Sequence, residues 1–177
     1  MKEAGSTSPD GISDQHIEAS HWVQRHANPT SLIVIALLLA STWLGILGGR
    51  PNPVSVVETG EAQLTIKSPA TLRNGTFYET RITIEPKISI KQLTLAISPA
   101  LWRDITINSG IPAAEKEEFK NGMFRMSFGP AEAGKPVEIK FDGQVNPPLV
   151  GRNSGSIAIL DGEVEIVRTN LSMLVLP

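Results

Sequence analysis

The 177-residue chain has no cysteine, one tyrosine and few aromatics, 5% in all. Without cysteine it can form no disulfide, thiolate zinc site, iron–sulfur cluster or cysteine nucleophile. Histidine is confined to His16, His21 and His26. Everything after residue 26 therefore lacks the side chain that titrates near neutral pH, the usual transition-metal ligand and a member of every common triad.

Charge is also scarce. Charged residues make up 19% of the chain and the net charge is −2, so nothing in the balance calls for nucleic acid. That −2 arises before residue 32, where Lys2 and Arg25 stand against Glu3, Asp10, Asp14 and Glu18. The rest is neutral, its signs interspersed, with no basic stripe and no calcium loop of alternating Asp. Alternation puts Glu163 and Glu165 on an exposed strand face. Met123 and Met126 invite a copper(I) reading, but three residues apart on a strand they face opposite sides. No catalytic residue, metal or cofactor is assigned, and the chain is read as a non-enzyme.

What the chain does contain is one long apolar run. No charge occurs between Arg25 and Arg50, and Leu32 to Ala40 is uninterrupted. Asn28 suits an N-cap, Pro29 the first helical position, and Gly48-Gly49 before Arg50-Pro51 a stop. A helix from Pro29 to Gly48 would be about 30 Å long, the thickness of a hydrocarbon core. The expected organisation is a polar tail over 1–28 with a short interfacial helix, one transmembrane helix over 29–49, a linker over 50–60 and a β domain over 61–177. A cleaved signal peptide fits less well, because the polar leader is long and no Ala-x-Ala follows. Trp22, Arg25, His26, Trp43 and Arg50 are expected at the membrane interfaces. Ala36, Ala40, Ser41, Gly45 and Gly49 form a small-residue stripe suited to close helix packing.

After residue 60 apolar and polar residues alternate. Tyr78, Thr80, Ile82 and Ile84 share one face, as do Leu93, Leu95 and Ile97, then Phe124, Met126 and Phe128, and Ile139, Phe141 and Val145. Asp161-Gly162 is a two-residue hairpin signal, and Asn121-Gly122 is one of the turn signals between runs. Ala113–Lys120 is the one segment read as a helical turn or two. The pattern predicts an all-β domain, an immunoglobulin-like antiparallel sandwich of seven to nine strands, with a small barrel as the alternative.

Two stretches stand out as partner contacts: Trp102-Arg103, and the Pro-rich loop with Pro147, Pro148, Leu149 and Arg152. Trp102 also fits as a core plug. The expected role is a non-catalytic, single-pass membrane accessory or assembly subunit. Its N-terminus would be cytoplasmic and its sandwich periplasmic or extracellular. Its partners would be the lipid bilayer and integral membrane subunits, as in a respiratory or photosynthetic complex. The alternative is an anchored ligand-binding or sensor module with a pocket between the sheets.

Overall fold

The alternation read from the sequence becomes eleven strands. The computed structural model describes residues 22–46 and 51–177, with side chains from residue 28 onward. The chain divides into two units, Met1–Ile46 and Leu47–Pro177.

In the first unit, helix α1 runs Trp22–Trp43. It starts earlier than expected, so Asn28 and Pro29 lie inside it and not at its cap. Pro29 has no N–H to give the preceding turn, which weakens the ladder there. The helix also ends earlier. Gly45 takes φ 65, its N–H donates to Thr42 O at 2.9 Å, and the Ile46 N–H donates to Ser41 O at 3.0 Å. That pair of bonds is a Schellman ending with Gly45 in the left-handed position. Gly45 thus serves as the helix stop. The helical part of the apolar run, Leu32 to Trp43, is about 18 Å long. No helix among the described residues is long and apolar enough to cross a membrane. Gly49 and Arg50 lie outside the described residues, as does the tail before Trp22, and the side chains of Trp22, Arg25 and His26 are not described.

The second unit is a two-sheet sandwich. Strands β1 (Val54–Glu58), β2 (Ala62–Lys67), β4 (Phe77–Pro86), β9 (Val137–Val145) and β6 (Ile105–Ile111) form one sheet in the order β1-β2-β4-β9-β6. Strands β3 (Thr71–Arg73), β11 (Val164–Leu176), β10 (Gly151–Asp161), β5 (Leu93–Ile97), β8 (Met123–Ser127) and β7 (Lys116–Lys120) form the other, in the order β3-β11-β10-β5-β8-β7. Every pairing is antiparallel except β3 with β11, which is parallel because the chain crosses between sheets after β2. Ile66, Ile82, Ile84, Ile139, Leu95, Ile97, Ile157 and Ile159 meet in the core, each at most 1% exposed.

Three segments depart from the sequence reading. The expected linker contains β1, whose Ser55 and Val57 point inward while Val54 and Val56 stand exposed. The segment read as a helical turn holds β7, paired to β8 from Lys116↔Ser127 to Lys120↔Met123. Its charges protect an edge strand from pairing with another chain. Phe124 is more exposed than its neighbour Met126, because it faces the rim and not the centre of the core. The expected hairpin turn at Asp161-Gly162 is present, with Gly162 at φ 59, and the turn at Asn121-Gly122 is also a hairpin: these residues take φ 52 and 74, the left-handed pair of a type I′ turn between β7 and β8.

Gly155 on β10 lies under the β5–β6 connection. A Cβ there would meet the Leu101 backbone nitrogen at 2.8 Å and the Ser98 hydroxyl closer still. Gly155→Ala should therefore lower the unfolding free energy by about 1–3 kcal/mol, measurable by chemical denaturation.

Candidate functional site

The two stretches singled out as partner contacts converge on one end of the sandwich. In the β5–β6 connection, the Leu101 N–H donates to Ser98 O at 3.0 Å and the Trp102 N–H to Pro99 O at 3.2 Å. The β9–β10 loop turns through Leu149 N–H to Asn146 O at 3.0 Å, and the Asn146 N–H donates to Asp104 O at 3.0 Å. That last bond ties the loops together. Asn74 Nδ2 donates to Pro147 O at 3.4 Å, and buried Asn153 donates to Leu101 O at 2.8 Å. Arg103, Pro147, Pro148, Val150 and Arg152 remain exposed at this end.

Two of the expected contacts face inward. Leu149 is 2% exposed and belongs to the core. Trp102 is half-buried; its ring centroid lies 5.6 Å from Phe124 and 5.6 Å from Phe141. The core-plug reading of Trp102 matches this geometry. Phe124 in turn meets exposed Phe119 edge to face at 5.2 Å, so an aromatic row runs from the interior to the edge strand. Sequence reasoning passed over Phe119 because the charges around it looked like a solvated face.

This loop end is also where the chain comes in. β1 begins there, opposite the last residue of β2, Lys67. β4, β6 and β10 also start there, and β5, β9 and β11 finish there.

Elsewhere the domain offers little chemistry. No group of His, Cys, Asp or Glu among the described residues could hold a metal, and no described carboxylate is buried. The gap between the sheets, walled by Tyr78, Ile107, Phe141 and Met173, leaves ≈ 10 Å³ for the centre of a water-sized sphere, so it can hold about one water. Burial of the Tyr78 phenol there pushes its pKa up to about 12. Gly143 makes room for that ring, since a Cβ would meet Tyr78 Cζ at 2.9 Å.

On the outer face of the six-stranded sheet lies a polar cleft of ≈ 170 Å³, lined by Thr94, Lys116, Arg125, Ser127 and Glu163 among others. Arg125 is buried and donates from Nη1 to Glu163 Oε2 at 2.7 Å, while its Nε has no partner. Lys120 reaches Glu163 Oε1 at 2.5 Å. Hydrogen bonds from Lys120 and then Arg125 hold the Glu163 carboxyl below the ordinary carboxylate range. A carboxylate whose folded pKa is depressed adds stability above its unfolded pKa and loses it as pH falls through the folded value. Glu163→Gln should therefore reduce the loss of stability on acidification below about pH 4, read by unfolding midpoints across a pH series.

No protein-family model matches the chain, and no curated protein matches it. Among solved structures it is similar to a CARDB domain from Pyrococcus furiosus, at 13% identity and TM-score 0.43 over 69% of this chain and 95% of that one. It is similar to a non-cellulosomal cohesin from Archaeoglobus fulgidus, at 12% identity and TM-score 0.40 over 64% and 91%. It is also similar to the chitin-binding domain of a chitinase from Pyrococcus furiosus, at 17% identity and TM-score 0.40 over 64% and 100%. The domain itself is all-β and sandwich-like, with its strands in two sheets.

Proposed function

We propose that the chain is a non-catalytic, membrane-attached accessory subunit of a larger membrane protein complex, with an immunoglobulin-like sandwich displayed on the extracytoplasmic side. The observation that carries the reading is the apolar surface of α1. Leu32, Ile33, Val34, Ile35, Leu37, Leu38 and Leu39 are each at least 51% exposed. Successive helical residues point about 100° apart, so these side chains surround the axis and leave no polar face. In water such a rod has no favourable environment; acyl chains or partner helices supply one. Ala36, Ala40 and Ser41 remain as the small positions where a neighbouring helix could approach. With an apolar length of about 18 Å, α1 attaches the chain jointly with the partners it packs on.

The absence of His and Cys from the sandwich favours binding over catalysis. A ligand-binding module is the second reading, favoured by the polar cleft over Arg125 and not by the narrow gap between the sheets.

Membrane fractionation and native electrophoresis of detergent extracts test the proposal. The unaltered chain should sediment with membranes and migrate within a larger assembly, and Ala40→Leu should weaken that assembly while leaving the sandwich folded. A chain found in the soluble fraction, or migrating alone from native membranes, would overturn it.

A further inference from the structure

We infer that the loop end of the sandwich is a docking surface for anionic lipid headgroups. The inference rests on the membrane attachment proposed above and deepens it. Although the β domain is neutral overall, folding sorts its charge by end. At the loop end stand Lys67, Arg73, Arg103 and Arg152, all exposed, against Asp104 in the loops and Glu79 near the start of β4, the latter paired with Arg81. The opposite end collects Glu58, Glu61, Glu85, Glu132, Asp161 and Glu163, outnumbering the lysines among them. A linear reading misses this, because antiparallel strands return residues far apart in sequence to the same end.

Arg73 and Arg152 have no carboxylate within ion-pair distance among the described residues, while Arg103 lies 3.7 Å from Asp104. Between the guanidinium groups project apolar tips: Phe77 at 68% exposed and Val150 at 53%, with Pro147 and Pro148 beside them. Guanidinium groups bind phosphate oxygens, and apolar tips gain by leaving water below the headgroups. Basic side chains beside a membrane are drawn to its anionic lipids. The hydrogen bond between Asp104 and Asn146 holds the two loops as one platform.

The chain has no cysteine, so one introduced residue carries a unique probe. Full-length Val150→Cys and, at the opposite end, Ala133→Cys would each bear an environment-sensitive fluorophore. Both would be reconstituted into vesicles of phosphatidylcholine alone or mixed with phosphatidylglycerol. The label at 150 should be quenched by a lipid-borne quencher on the mixed vesicles, lose that quenching at raised salt, and lose it when Arg73, Arg103 and Arg152 are all changed to Gln. The label at 133 should stay unquenched. Protein that floats with vesicles while the label at 150 is as unquenched as that at 133 overturns the docking surface and leaves attachment standing. Equal quenching on phosphatidylcholine alone overturns the recognition of anionic lipid. Failure to float overturns attachment and docking together.

Discussion

Interdigitation of aliphatic side chains between two sheets is the constraint on which the structure depends. With no disulfide and few aromatics, the sandwich must exclude water by branched aliphatic packing. Ile66, Ile82, Ile84 and Ile139 from one sheet meet Leu95, Ile97, Ile157 and Ile159 from the other. Isoleucine suits both tasks, since its branched Cβ favours the extended backbone and its volume fills the gap between layers. The filling beside Tyr78 and Phe141 is tight enough to leave about one water's space.

The outer surfaces are correspondingly specialised. The edge strand β7 alternates charge around Phe119, which discourages sheet extension. The outer face of the six-stranded sheet buries Ala96, Ala158 and Leu160 beneath long side chains. Arg168 is one of these, paired with Glu165 and close to Met123. The loop end is fixed by backbone hydrogen bonds and by the Asn153 amide, and its exposed arginines therefore project from a rigid base.

The sequence made the regular strands legible and the irregular ones obscure. β4 and β9 alternate because one face meets the core and the other meets water, and their apolar positions were read correctly. β5 was read as half-buried, yet Thr94 and Ala96 on its outer face are buried too, covered by side chains that no local pattern announces. β7 hid behind its charges, and β1 behind neighbouring prolines. In α1 the apolar composition was plain, but which glycine stops the helix depends on hydrogen bonds made only once it forms. Of the loop residues, Arg103, Pro147, Pro148 and Arg152 are exposed as expected. Leu149 and Trp102 turn inward because a loop crossing the end of a sandwich must also close it. The sorting of charge by end was illegible, since it follows from topology and not from composition.

The left-handed turn at Gly45 makes that residue a ruler. Any side chain there would resist the turn, and the helix would tend to run on through Ile46. The apolar rod would then grow by about 1.5 Å for each residue added. The length of the apolar rod is therefore set by one missing Cβ, independently of how apolar the rest of the run is.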